Sequence, residues 1–456
     1  MSIRIQKSSK LSDSSFTNSD YTLLNELFTF SCKPKYNPKT RKHVPGEKIT
    51  MMKSTDTPKQ ILLPMFLAKR MLKLYKEFEY VSTDVTPINI KDNIVLKDYQ
   101  IDIYDKIYQR IISEKSTNTC IMNLFTGFGK TVLSAKLAAK LGVKTVVLIP
   151  GKSYINSWVT TFESFTDANV KVAPIPSKRN DKMDAELMHA DVIISLSGRS
   201  KSIPEYIKRN LGLLIIDEVD TFCTNTRIGT MLEFEPKYIL ACTATLNNQN
   251  GSDVAVDIMC GEENKFIKKI DKPLSATFIL TGIVPKYEKV NGIKSWPSLM
   301  ESLMNNKKRN NYIVSLIRWK LNQNQKILIL FSLVEHLEII SKLLTKNGIS
   351  HGKIYGNLDE YQETMCLLGS TSKIGRGFDE KGFNENWNGI RISALIMCNT
   401  IKSESSFLQY VGRAERSDMA SIYVLVDSDN SIKKHEATMK NILKRRGNVT
   451  IERIKA

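Results

Sequence analysis

The sequence predicts an α/β protein with two domains in tandem, each on a parallel sheet, behind a small basic N-terminal region. Three observations predict it. From Leu96 onward, short apolar runs alternate with segments of helical periodicity, the pattern of strands buried on both faces and connected by helices. The alternation lapses across residues 271–294, where Pro273, Pro285, Gly282 and Gly292 cluster, and then resumes. The length, 456 residues, exceeds what one hydrophobic core organises. The expected divisions are an N-terminal accessory region (1–90), a first domain (91–275) and a second domain (276–456) with a basic C-terminal helix.

In chain order, the accessory region opens on a polar stretch, Ser8 to Asp20, and continues into a basic, Pro-containing stretch from Lys33. Phe66, Leu67, Met71, Leu74 and Phe78 recur near helical spacing and predict one amphipathic helix from Phe66 to Phe78. Thr83 to Ile90, with Pro87, reads as a linker. The first domain's strands are expected at Cys120–Phe125, Lys144–Ile149, Asp191–Ser195, Leu211–Ile216 and Tyr238–Cys242. A helix is expected over Lys130–Leu141, with Val132, Leu133, Ala135, Leu137 and Leu141 inward. Asp271 to Lys294 reads as a connector. The second domain's strands are expected at Lys326–Phe331, Lys353–Tyr355, Thr364–Leu368, Ser393–Met397 and Ser421–Val426. Its helices are expected at Val334–Lys346, Glu404–Arg413 and His435–Arg445. Two such domains imply a cleft between them.

The formal charge is +19, on an otherwise ordinary globular composition of 42% hydrophobic and 25% charged residues. That apolar content excludes a disordered chain. A polyanionic partner and a lysine-rich solvated surface both account for the excess. Lys33–Lys59 carries eight basic and two acidic residues, Glu301–Lys326 six and one, and Lys433–Ala456 eight and two. These stretches read as accessories that raise non-specific affinity for a polyanion. The seven cysteines form no CxxC pair and several lie in apolar runs, so reduced core thiols are expected and a zinc site is not. Met1–Lys10 has no signal-peptide core and no run of about 18 apolar residues occurs, so an intracellular, cytoplasmic protein without membrane segments is expected.

Thr126-Gly127-Phe128-Gly129-Lys130-Thr131 follows an expected strand and opens an expected helix. Glycines there expose backbone N–H groups to phosphates, and the helix N-terminus adds partial positive charge. Lys130 can reach terminal phosphates, and the Thr131 hydroxyl can ligate Mg²⁺. The full GxxxxGKT pattern is not met, because Leu124 stands at its first glycine. Asp217-Glu218-Val219-Asp220 directly follows a buried strand and so lies at its carboxyl end. Asp217 is placed to hold Mg²⁺ through water, and Glu218 to orient or deprotonate an attacking water. In Gln409–Arg416, Arg413 and Arg416 share a helix face, and guanidinium suits the developing charge of a γ-phosphate.

The order of these motifs resembles the superfamily 2 helicases and translocases. Leu96-Lys97-Asp98-Tyr99-Gln100 is similar to their glutamine-bearing start, whose Gln reads the adenine. Pro150-Gly151-Lys152-Ser153, with Trp158 following, resembles motif Ia. Thr243-Ala244-Thr245 resembles motif III, and Ile329-Leu330-Phe331-Ser332 motif IV. Thr371 to Asp379 resembles motif V, and Gln409–Arg416 motif VI. The resemblance runs from Leu96 to about Val426. It is finest to the poxvirus-type transcript-release DNA helicases of large cytoplasmic DNA viruses and virus-like elements, through the DEVD motif with Thr-Ala-Thr, the Pro150, Lys152 and Trp158 spacing, and Ile61-Leu62-Leu63-Pro64 before a basic helix. Asp220 departs from the His common at that position. Ile194-Ser195-Leu196 is the nearest candidate for motif Ib.

The resemblance implies two RecA-like domains and hydrolysis of ATP, with Mg²⁺, to ADP and phosphate. It implies nucleotide contacts at Gln100, Thr126 to Thr131, Gly377, Asp379 and Gln409. It implies backbone phosphate contacts at Lys152, Ser332 and Thr371, and coupling to the ATP site by Thr243 and Thr245. Nucleic acid is the implied partner, DNA over RNA, along with transcription or replication machinery; a monomer is favoured. A viral protein of this kind would work in the virion or at cytoplasmic replication sites. An RNA helicase, and a nucleic-acid-binding transcription factor that does not hydrolyse ATP, are the alternatives.

Overall fold

A computed structural model of the chain describes residues 2–7, 17–37, 42–54, 60–74, 78–80, 85–113, 115–244, 246, 250–268, 272–358, 360–375, 378, 380–384 and 386–456. It separates into two compact units, Met1–Lys268 and Lys269–Ala456.

The first unit is built on seven parallel strands. Their order is Val170–Val172, Val192–Leu196, Thr145–Ile149, Leu213–Ile216, Tyr238–Thr243, Thr119–Leu124 and Lys265–Lys268. The central strands are uninterrupted aliphatic runs because both faces are covered. The side-chain period of two divides them. Val146, Leu148, Leu214 and Ile216 face one core cluster, and Val147, Ile149, Leu213 and Ile215 face the other.

Residues of the N-terminal region supply part of the first of those cores. Ile49, Met51, Ile61, Leu63, Met65 and Ala68 pack with Leu214, Ile216 and Met259. A four-stranded antiparallel sheet runs Lys53–Ser54, Gln60–Pro64, Ser2–Lys7 and Phe78–Tyr80. The amphipathic helix spans Met65–Leu74, shorter than the expected Phe66–Phe78, because Phe78 pairs with Lys7 as the start of a strand. Its Phe66 ring lies on the backbone of Gly261, where a Cβ would come within 2.2 Å of a ring carbon. That position, with φ +85°, accepts only glycine without strain. The expected linker is also packed: Ile88 N–H donates to Gly142 O at 2.8 Å, and Ile90 is buried.

The second unit has seven parallel strands as well. Their order is Gly352–Ile354, Cys366–Ser370, Ile327–Phe331, Ala394–Met397, Ala420–Val426, Leu274–Leu280 and Val449–Lys455. The expected connector is corrected here. Leu274–Leu280 is an inner strand of this sheet, paired on both sides. Pro273 precedes it and removes no ladder hydrogen bond from it.

Two of the basic stretches are corrected in part. Arg309 is fully buried; its Nε donates to Asp427 Oδ1 at 3.0 Å and its Nη2 to the Cys398 carbonyl. Lys326, 1% exposed, pairs with Glu363 at 2.5 Å and Glu380 at 3.5 Å. At the C-terminal end Arg446 pairs with Glu415 at 2.5 Å, and Lys440 and Arg453 with Glu436. Arg309, Lys326 and Arg446 are desolvated, hold the second unit together and are not available to a polyanion, whereas Arg453 stays exposed. All seven cysteines are buried thiols, and burial pushes several up, Cys120 and Cys366 to about 12. Among the described residues no helix is long and apolar enough to cross a membrane.

Candidate active site

The phosphate loop is made by the chain leaving the strand Thr119–Leu124 and entering the helix Lys130–Leu141. Gly127 and Gly129 take φ of 88° and 98°, left-handed values that glycine adopts without strain, and between them the Phe128 N–H donates to Phe125 O at 3.2 Å. Gly129 also lies against Gln100, whose Nε2 would be 2.5 Å from an added Cβ. The helix is uncapped by any side chain at its start, so its first N–H groups stay available to an anion. At its far end Gly142, also left-handed, closes it by donating to Ala138 O and Ala139 O.

Within this loop the expected residues fall into different roles. Lys130 folds back, and its Nζ donates to the carbonyls of Leu124 at 2.8 Å and Phe125 at 3.4 Å. These are weak neutral acceptors for an ammonium, so phosphate oxygens would readily replace them. Thr126 and Thr131 are half-buried at the loop's two ends. Phe128 is core: its ring meets Tyr99 and Phe125 edge-on at 5.3 and 5.2 Å, and only its backbone serves the loop. Gln100 is buried, and its amide is engaged at both ends. Nε2 donates to Phe128 O at 2.6 Å, and Oε1 accepts from Lys97 N at 3.0 Å. In this geometry Gln100 braces the loop, and reading an adenine would require its amide to turn outward.

Two strands away, Asp217 follows Leu213–Ile216 and anchors to the neighbouring strand through its N–H to Leu148 O at 2.9 Å. Its Oδ1 accepts the Glu218 N–H at 3.0 Å, and its Oδ2 accepts the Trp158 indole N–H at 2.9 Å. Burial, then the neighbouring Glu218 carboxylate, pushes the Asp217 carboxyl up to about 6, against the opposing pull of Trp158, Lys130 and the backbone. Glu218 takes φ 50° and ψ 52°. A non-glycine residue there carries about 1–2 kcal/mol of backbone strain. Its Oε2 is buried and meets no hydrogen-bond partner among the described residues. Two adjacent desolvated carboxylates, one with an orphaned oxygen and a lysine nearby, form the donor set that a hydrated Mg²⁺ and an attacking water would satisfy. Asp217 and Thr131 are the residues that fit the metal.

Asp220 is buried and accepts the Thr243 hydroxyl at 2.9 Å, with Thr243 itself fully buried. Thr243 is therefore internal, linking the end of the strand Tyr238–Thr243 to the acidic turn. Thr245 lies outside the described residues.

In the second unit, Arg413 and Arg416 converge on one carbonyl. Arg413 Nη1 and Arg416 Nη2 donate to Phe378 O at 2.7 and 3.3 Å, and Arg413 Nη2 reaches Gly375 O at 3.1 Å. The helix Glu404–Ala414 ends before Arg416, so the two arginines meet at Phe378 although only Arg413 is helical. Arg413 and Gln409 are buried, while Arg416 is partly exposed. Gly377 and Asp379 lie outside the described residues. Thr371 starts the short helix Thr371–Ile374, and its carbonyl accepts the Tyr410 hydroxyl at 2.9 Å. Lys152 and Ser332 are exposed. Trp158, which spacing alone left without a role, is buried with its indole N–H on Asp217; the sole hint was an indole donor inside an otherwise apolar helix face.

Residues 93–248, which hold the loop, the acidic turn and Thr243, match the family of the type III restriction enzyme res subunit. The chain is 24% identical over 415 residues to "Putative helicase 161L" of Invertebrate iridescent virus 6, covering 85% of this chain and 88% of that protein. It is 22% identical over 419 residues to the transcript termination protein A18 of Vaccinia virus (strain Ankara), covering 87% and 84%. Among solved structures, S. cerevisiae Dbp5 bound to RNA and ADP BeF3 superposes with a TM-score of 0.52 at 12% identity, covering 78% of this chain and 92% of that one. That likeness gives the fold: the two parallel sheets are a tandem RecA-like pair.

Proposed function

We propose that this chain, an ATP-hydrolysing helicase of superfamily 2, moves along DNA and serves transcript release or replication of a virus or virus-like element. The observation that carries the reading is the acidic turn: a strained, orphaned Glu218 beside a pinned Asp217, across the sheet from a phosphate-binding loop. Supporting the DNA assignment are the DEVD and Thr-Ala-Thr motif types, and supporting a part in transcript release is the likeness to a transcript termination protein.

In this mechanism the N–H groups of Gly127 to Thr131 and the Lys130 ammonium hold the phosphates of ATP. Thr131 and Asp217 would hold Mg²⁺, which would supply neutralisation of phosphate charge. Glu218 accepts a proton from the attacking water through its unpartnered Oε2. Arg416 stabilises the charge that develops on the γ-phosphate, while Arg413 holds the Gly375 carbonyl and the Phe378 carbonyl that it shares with Arg416. Lys152, Ser332 and Thr371 contact the polymer backbone, and Thr243 couples those contacts to Asp220. Backbone contacts carry little sequence information, so loading is non-specific or directed by partners.

Polymer-dependent hydrolysis tests the assignment. Turnover measured without polymer, with single-stranded DNA, with duplex DNA and with RNA should rise most with DNA, and more steeply at low salt. Preferential stimulation by RNA would replace DNA with RNA in this reading.

A further inference from the structure

We infer that Trp158 is a positioning residue for Asp217, fixing the metal-binding carboxylate through its indole N–H; the inference rests on Asp217 being the Mg²⁺ residue. Trp158 is 1% exposed on the helix Ile155–Phe165, and its ring stacks on Phe162 with centroids 6.2 Å apart. An indole has one N–H and no acceptor, so its hydrogen bond fixes one direction only. That direction is Asp217 Oδ2, at 2.9 Å, inside the core.

Asp217 is thus held at three points. Its backbone N–H is tied to Leu148, Oδ1 to the Glu218 N–H and Oδ2 to Trp158. The first two are set by the backbone of the strand and turn. Only the third comes from a side chain, so only it can be removed without refolding the turn. A hydrogen bond to a charged acceptor is short and strong in a desolvated site, and rotating Asp217 about its side-chain torsions would break this one. Each oxygen retains a lone-pair direction for a metal-bound water. A phenyl ring could fill the aromatic slot, but it would leave Oδ2 without its donor beside Glu218. The same helix begins three residues beyond Lys152, so the donor sits on the element that follows the candidate polymer contact.

The test compares ADP affinity with and without Mg²⁺, by calorimetry on the full chain, in the parent, Trp158→Phe and Asp217→Asn. For Trp158→Phe the metal-free affinity should be unchanged, and the gain given by Mg²⁺ should shrink about tenfold. An undiminished Mg²⁺ gain in Trp158→Phe, with the gain lost in Asp217→Asn, overturns the inference alone. An undiminished gain in Asp217→Asn overturns the reading of the metal site beneath it. Should the phenyl variant fail to fold, benzothienylalanine at 158, which keeps the bicyclic shape and lacks the N–H, gives the same comparison.

Discussion

Replacing Glu218 with Gln should lower ATP turnover by about 10²–10⁴-fold, the usual share of a general base, while nucleotide and DNA still bind. The carboxamide keeps the shape of the side chain and its left-handed backbone but cannot accept the proton of water. The variant should also unfold at the same or a higher temperature than the parent. Glu218 lies beside Asp217, helps raise it, and has a buried oxygen without a partner among the described residues. Neutralising it removes like-charge repulsion and one uncompensated desolvation. Steady-state hydrolysis and thermal unfolding of the same preparation check both halves. An unaltered rate would remove Glu218 from the chemistry, and a large loss of stability would make it a structural residue.

The second large effect is expected in the second unit. Arg309→Leu should cost the second unit about 3–5 kcal/mol, because it strands Asp427 as an unpaired buried carboxylate. Asp427 is held by Arg309 and by the Thr281 hydroxyl at 2.6 Å, and the pair ties the helix Lys307–Leu321 to the ends of the strands Leu274–Leu280 and Ala420–Val426. The double variant Arg309→Leu with Asp427→Leu should recover much of the loss, since an apolar replacement of a buried ion pair is often neutral. Denaturant unfolding measures it. A single variant within about 0.5 kcal/mol of the parent, the range of ordinary surface changes, would mean the pair is not what holds this corner.

That pair also marks where sequence reasoning ended. The helix Lys130–Leu141 was legible to the residue because glycines bound it on both sides, each in a left-handed conformation that stops a helix cleanly. The buried aliphatic strands were legible because runs such as Leu213–Ile216, bounded by Gly212 and Asp217, are too short for a buried helix. Leu274–Leu280 was hidden because prolines and glycines around it read as a connector, and strand identity there depends on two distant partners, Ala420–Val426 and Val449–Lys455. The charge of Glu301–Lys326 misled for the same reason. Arg309 finds Asp427 118 residues away, and Lys326 finds Glu363 37 residues away, so no local window shows that these cations are buried. The phosphate loop and acidic turn were visible as motifs because backbone chemistry fixes their residue types. The indole donor on Asp217 was not, since a tryptophan in an apolar helix face is ordinarily core.

The most direct measurement is ATP-driven displacement of streptavidin from the biotinylated end of a DNA strand. If hydrolysis at this site drives movement along DNA, displacement should occur with ATP, fail with a non-hydrolysable analogue, and disappear in Glu218→Gln. Brisk DNA-stimulated hydrolysis without any displacement would contradict it.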